Sequence, residues 1–249
     1  KGNVEKYPVK LNGLKKVNDL EAIATAGDNL FYLISSQNIS KNNKRPSSRE
    51  LFIKIKREGE TYNVIGELPF LSVLLKSYSH NQLINLGLEK YEKDGKPLLN
   101  IEGAAYKDGV LYLGLKEPST KNGAIIWKLD DVDALFQNQN LKPEQLSVYG
   151  FVQLSDDNNI SAGISDLTFD KNGVLWALST IPNADKENQK GGLHKINPLA
   201  NGKLEATHVL TFPGLKPEGI CSNNTGGLMV VFDNDNNTPA LCNIDTEGL

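Results

Sequence analysis

The chain has 249 residues, 39% of them apolar, with 27 Lys and Arg against 30 Asp and Glu and a formal charge of −3. That length suffices for one larger domain or two small ones, and the balanced charge excludes the basic footprint of a nucleic-acid binder. No apolar run approaches the roughly 18 to 20 residues that span a bilayer, so a soluble chain without a membrane span is expected.

In chain order, one unit recurs four times. It opens on a carboxylate followed by apolar residues: Asp19-Leu-Glu-Ala-Ile-Ala, Asn100-Ile-Glu-Gly-Ala-Ala, Ile164-Ser-Asp-Leu-Thr-Phe and Lys216-Pro-Glu-Gly-Ile-Cys. A glycine-containing turn follows, then a β-prone segment at Leu30, Val110, Val174 and Gly227 and a third one at Leu51, Ile125, Leu193 and Leu241. The first three units add a fourth segment at Tyr62, Val148 and His208. Alternating and β-branched segments between turns read as strands, so each unit is a four-stranded meander.

The repeated carboxylates are 81, 64 and 52 residues apart, and the wrap-around distance from Glu218 to Glu21 through the ends is again 52. The fold expected is all-β, a β-propeller forming one domain over residues 1–249. The last unit lacks a fourth strand, and Tyr7-Pro-Val-Lys-Leu offers a spare one, so ring closure by this N-terminal strand is expected. Four blades are the favoured count. The excess in the first interval falls on residues 70–99, where Leu71, Leu74, Leu75 and Tyr78 lie at helical spacing beside a cap candidate, Ser72. That spacing predicts a helical insertion. The alternative, a fifth blade, needs Leu83–Leu88 to be a strand. A second short helix is expected within Asp131–Asn140, from Val132, Leu135 and Phe136. Cys221 and Cys242 fall on the first and third strands of the last unit, their Cα atoms roughly 9 to 10 Å apart, too far for a disulfide. Both are expected to be buried thiols.

The first strand of each blade lines the channel of a propeller, so Glu21, Glu102, Asp166 and Glu218 should converge at one end. At about 6 Å and an effective dielectric near 20, each pair of charges repels by roughly 3 kcal/mol. Such a ring calls for a cation, raised pKa values or neighbouring bases; alternatively, each carboxylate accepts backbone N–H groups as an architectural pin. An oxygen-only set suits Ca²⁺ or Mg²⁺ rather than zinc. Asp235, in Asp233-Asn-Asp-Asn-Asn-Thr after the second strand of the last blade, is a further metal candidate, although the segment lacks the glycine and glutamate spacing of an EF-hand. Lys44, Arg45 and Arg49 in Lys44-Arg-Pro-Ser-Ser-Arg49, with Lys116 at the matching position of the second blade, suit an anionic substrate. G-x-S-x-G, Walker and H-E-x-x-H patterns are absent, which disfavours serine-hydrolase, NTPase and zincin chemistry. The only methionine is Met229, which fits removal of a leader or a trimmed chain, and a periplasmic or secreted location is expected.

These residues carry a resemblance. The four carboxylate units, the Lys44-Arg-Pro loop and Pro217-Glu-Gly-Ile look like a bacterial propeller family of unknown function. Pro217-Glu-Gly-Ile with Val230-Val-Phe-Asp-Asn-Asp is distantly similar to phytase-like and esterase-like propellers, and the Glu-Gly motif resembles the gluconolactonase and paraoxonase group. The resemblance implies a channel-bound Ca²⁺ facing Glu21, Glu102, Asp166, Glu218 and Asp235, polarising an ester, lactone or phosphoester. The function expected is therefore a divalent-cation-dependent hydrolase of a small anionic ester or phosphoester, as a monomer. The alternative is a non-catalytic propeller binding a ligand, glycan or protein, with structural carboxylates.

Overall fold

A computed structural model describes residues 9–27, 29–154, 162–180, 190–199, 203–223, 225–233 and 239–247. The strands form four antiparallel meanders in the predicted order. Blade one comprises β2 (Leu20–Thr25), β3 (Leu30–Ser35), β4 (Leu51–Glu58) and β5 (Thr61–Pro69), with a short β1 (Leu11–Asn12) added outside β5. Blade two comprises β6 (Asn100–Lys107), β7 (Val110–Glu117), β8 (Ala124–Leu129) and β9 (Leu146–Val152). Blade three comprises β10 (Gly163–Phe169), β11 (Leu175–Thr180), β12 (Lys190–Pro198) and β13 (Leu204–Pro213). Blade four has three strands, β14 (Lys216–Ser222), β15 (Leu228–Asp233) and β16 (Ala240–Ile244). The turn between first and second strands carries a positive-φ glycine in every blade, namely Gly27, Gly109, Gly173 and Gly226. Only glycine adopts that conformation without steric cost, which explains why the turn of the repeat contains one.

The insertion is helical, with α1 (Phe70–Ser77) and α2 (His80–Asn85), so Leu83–Leu88 is not a strand and the count is four blades. The α1 helix begins at Phe70 after Pro69, which places Ser72 inside the helix rather than at its cap. Trp127, fully buried in β8, donates its Nε1–H to the Leu86 carbonyl at 2.9 Å and so ties the insertion to blade two. The third helix, α3 (Val132–Asn138), falls where Val132, Leu135 and Phe136 predict it.

Three of the four seams are filled by apolar side chains alternating along the strands. Ala22, Tyr32 and Phe52 meet Leu113 and Trp127 between blades one and two. Ile126 and Val152 meet Ile164 and Ala177 between two and three, and Trp176 and Leu178 meet Ile220 and Val230 between three and four. Each fully buried large side chain contributes about 1.5 to 3 kcal/mol.

The fourth seam differs from expectation. Residues 7 and 8 of the proposed closing strand lie outside the described residues, but Leu11 pairs in parallel with Tyr62 of blade one, not with β16. The physical reason is the apolar face that blade one turns away from blade two. Leu33, Ile53 and Ile55 lie there under Leu11, Leu14 and Val17, so the N-terminal segment covers its own blade. Among the described residues no shared apolar cluster joins blades four and one. Cys221 and Cys242 are free thiols as expected, yet Cys221 is exposed, on the side of blade four opposite Ile220, and Cys242 is half-buried against the cluster between blades three and four. No helix among the described residues is long and apolar enough to cross a membrane.

Candidate functional site at the channel mouth

Each inner strand carries a β-bulge near its start, and the bulges position the site. Register slips between Leu20 and Ala22, between Ile101 and Gly103, and between Pro217 and Gly219, leaving Glu21, Glu102 and Glu218 as the unpaired residues. A bulged residue is freed from the ladder and its side chain re-aimed. One oxygen from each of these three glutamates lies within 4.8 Å of the other two.

In blade three the slip falls between Ile164 and Asp166, so the bulged residue is Ser165 and Asp166 remains paired with Leu178. Asp166 accordingly does not join the three glutamates. Its Oδ1 accepts the N–H of Leu167 at 2.7 Å and of Ala104 at 3.4 Å, and its Oδ2 accepts that of Ile220 at 2.8 Å. Burial outweighs the pull of the three N–H groups and, with Glu218 nearby, raises this carboxyl's pKa to about 8. The carboxylate therefore ties blades two, three and four together, which is the pin alternative realised at one position. The glycines after Glu102 and Glu218 serve it. A Cβ on Gly103 would lie 3.1 Å from the Asp166 backbone, and one on Gly219 would lie 3.8 Å from Asp166 Oδ2 and 2.8 Å from a Val231 methyl.

Two lysines enter the mouth. Lys116 Nζ donates to Glu102 Oε2 at 2.6 Å, and Lys216 Nζ pairs with Glu218 Oε1. Asn100 Nδ2 donates to Glu102 Oε1 at 3.0 Å. Burial, with Glu102, Asp19 and Glu218 nearby, raises the pKa of Glu21 to about 7 against the pull of Lys116. Glu102 is also raised, by burial first, opposed by Lys116. Lys216 is drawn down by burial, but Glu218, Glu102 and Asp233 outweigh this and leave it raised. Among the described residues, Asn100 Oδ1, on a residue only 8% exposed, Ser165 Oγ, on one 1% exposed, and Thr180 Oγ1, on one 3% exposed and opposite Gly163, are buried oxygens at this end without a hydrogen-bond partner.

The other predicted site residues are dispersed. Arg49 pairs with Asp19 and donates to the Asn38 carbonyl at 3.0 Å, and Asp19 stands two residues before Glu21. Arg45 is turned away from solvent, 3.5 Å from Asp94 and 3.3 Å from the Pro97 carbonyl under the insertion. Lys44 is exposed. Asp235 lies outside the described residues, two positions beyond Asp233, whose carboxylate is 3.9 Å from Lys216 Nζ. Sequence reasoning missed Asn100, Ser165 and Lys216. Asn100 and Lys216 stand two residues before a repeated glutamate, a spacing that holds side chains near one another along a strand.

The donor set can be tested against a metal. Calcium–oxygen distances of about 2.3 to 2.6 Å allow two ligands of one ion to stand up to about 5 Å apart, whereas the 2.0 to 2.1 Å of Mg²⁺ allows only about 4.2 Å. The three glutamate oxygens, all within 4.8 Å of one another, are close enough to share one Ca²⁺. The absence of His and Cys from this group speaks against zinc.

Residues 80–244 match the model of a family of unknown function, DUF6929. The chain belongs to this family. No curated protein matches it. Among solved propeller structures, similarity extends to an endo-arabinase from Bacteroides thetaiotaomicron VPI-5482, with 12% identity, 95% of this chain and 77% of that one covered, and a TM-score of 0.45. YCF48 bound to a D1 peptide is 8% identical over 98% of this chain and 69% of that one, with a TM-score of 0.39. A bifunctional GH43-CE protein of Bacteroides eggerthii is 13% identical over 92% of this chain and 33% of that one, with a TM-score of 0.38. At such similarity no activity transfers to this DUF6929 chain.

Proposed function

We propose that this DUF6929 protein is a divalent-cation-dependent hydrolase acting on a small anionic ester or phosphoester at the channel mouth. The observation that carries the reading is the convergence of Glu21, Glu102 and Glu218 at a spacing suited to Ca²⁺. These three residues would hold the ion. When bound, Ca²⁺ supplies Lewis-acid polarisation of a carbonyl or phosphoryl oxygen. Asn100 orients Glu102 through its Nδ2, and the Asp166 pin fixes the inner strands that carry Glu102 and Glu218. Lys116 and Lys216 supply positive charge for an anionic substrate.

The rival reading, a non-catalytic binding propeller, draws on the same lysines, since two of the three glutamates already have an ammonium partner. A thermal melt after chelation, repeated with Ca²⁺, Mg²⁺ and Mn²⁺, separates the two. Calcium at 100 times its dissociation constant should stabilise the protein by about 2.7 kcal/mol, selectively, and the gain should vanish in Glu102→Gln and Glu218→Gln. A panel of phosphate and carboxylate esters then tests turnover. Failure of every cation to move the midpoint, or turnover that survives both substitutions, would overturn the hydrolase reading and favour the binding one.

A further inference from the structure

The lysines at the mouth carry a further inference, which rests on the cation site just proposed. Lys116 and Lys216 do not simply line the entrance. Their ammonium groups lie on Glu102 and Glu218, two of the three carboxylates that a divalent ion would use. The Lys116 pair is shielded, with Lys116 14% exposed along its side chain and Glu102 8%, whereas Lys216 is 31% exposed and Glu218 24%. Two side chains beside the glutamates leave hydrogen-bonding capacity that the lysines do not use. Asn100 places an unpartnered Oδ1 beside Glu102, although the residue is more than nine-tenths buried. Ser165, at the fourth of the bulges from whose other three members the glutamates converge, keeps a buried hydroxyl with no partner. A buried polar group without a partner costs free energy, and two at one end of the channel mark a place for a bound group.

We propose that Lys116 and Lys216 are resident cations which a divalent ion displaces, so that cation binding at the glutamates releases two ammonium groups to receive an anion. The cation and the anionic group of the substrate then bind cooperatively. Without the divalent ion, the lysines satisfy Glu102 and Glu218 and have little attraction left for an anion. With it, Glu21, Glu102 and Glu218 serve the ion; Lys116 is left without its carboxylate partner, and Lys216 keeps only the more distant Asp233, 3.9 Å away. Neither step alters a covalent bond. Substrate selection follows: a phosphoester or carboxylate-bearing ester gains from the freed lysines, and a neutral ester does not.

Linkage supplies the test, because coupling between two ligands is reciprocal. Calorimetric titration of the chelated wild-type protein with Ca²⁺ would be run with and without sulfate, an anion whose calcium salt stays dissolved at the concentrations needed. Sulfate should tighten Ca²⁺ binding at least about 5-fold, and Ca²⁺ should tighten sulfate binding by the same factor. In a Lys116→Gln/Lys216→Gln variant, checked for a native melt, Ca²⁺ should bind more tightly than in wild type when sulfate is absent, and the coupling should disappear. Calcium binding that ignores sulfate in wild type would overturn the exchange while leaving the cation site standing, as would coupling that survives the double substitution. A wild-type protein that binds no Ca²⁺ at all would overturn both. If the double variant fails to fold, Lys116→Gln and Lys216→Gln are titrated singly, and coupling undiminished in both would overturn the exchange.

Discussion

Asp166 and Glu102 lie on adjacent inner strands at corresponding points of the repeat, yet they meet opposite fates. Asp166 accepts N–H groups from three blades and is closed off. Glu102 turns to the mouth, where it accepts from Lys116 and Asn100. The difference is the placing of one bulge. In blades one, two and four the carboxylate itself is the extra residue; in blade three the extra residue is the serine before it. Moving a bulge by a single residue converts a position at the mouth into a fastening, because a β-ladder reverses the facing of side chains at every step.

The largest effect expected from this contrast is that of Asp166→Ala. It would leave three N–H groups at the blade junction without an acceptor, and each orphaned buried donor costs about 1 to 3 kcal/mol. We expect a loss of roughly 3 to 5 kcal/mol, read as a lower denaturant midpoint at an unchanged slope. A loss below about 1 kcal/mol would mean that water replaces the carboxylate and that Asp166 is no pin.

Blade three holds a second enclosed ionisable group, which extends the comparison to pH. His194 is 3% exposed, its Nε2 lies 2.9 Å from Ser179 Oγ, and its ring meets that of His208 at 5.1 Å. Burial, with His208 adding to it, lowers its pKa from 6.5 to about 4. The unfolded chain therefore takes up a proton at a higher pH than the folded one. The contribution to stability is full above pH 6.5 and is lost as the pH falls towards 4, by roughly 3 kcal/mol in all. Unfolding free energies measured at pH 7 and pH 4 should reveal this loss in wild type and a much smaller one in His194→Gln. Equal slopes in the two proteins would locate the acid sensitivity elsewhere.

Much of the architecture was legible because its signals are periodic. The four carboxylate units, the Gly27, Gly109, Gly173 and Gly226 turns and the helical spacing of Leu71, Leu74 and Leu75 each report a local rule that the fold obeys. What escaped the sequence depends on contacts between distant segments. Nothing local in Leu11, Leu14 and Val17 tells that they cover blade one instead of closing blade four. Arg45 reads as an exposed basic residue until the insertion, with Asp94, closes over it. At the site, aligning the carboxylates by residue type placed Asp166 with the glutamates, whereas aligning by bulge places Ser165 there. A bulge leaves no residue signature in a single sequence, so the one-residue shift was invisible. The spacing of two between Asn100 and Glu102, and between Lys216 and Glu218, was available and marks the polar company that the mouth keeps.

The smallest expected effect is the one that tests the mouth most directly. Glu21 has no ion pair with either mouth lysine, which sit on Glu102 and Glu218. In chelated protein, Glu21→Gln removes a carboxylate that its neighbours repel, so stability should change by less than about 1 kcal/mol, in the stabilising direction. Addition of Ca²⁺ should reverse the order, because the wild type gains a ligand that the variant has lost. Paired melts in chelator and in Ca²⁺ would thus give a difference that changes sign. A destabilised Glu21→Gln in chelator would put Glu21 in the same class as Asp166, as part of the fastening. A variant that stays the more stable under both conditions would mean that the ring is relieved by its lysines alone. The sign change therefore discriminates between a carboxylate held for the fold and one held for a ligand, which residue type alone does not.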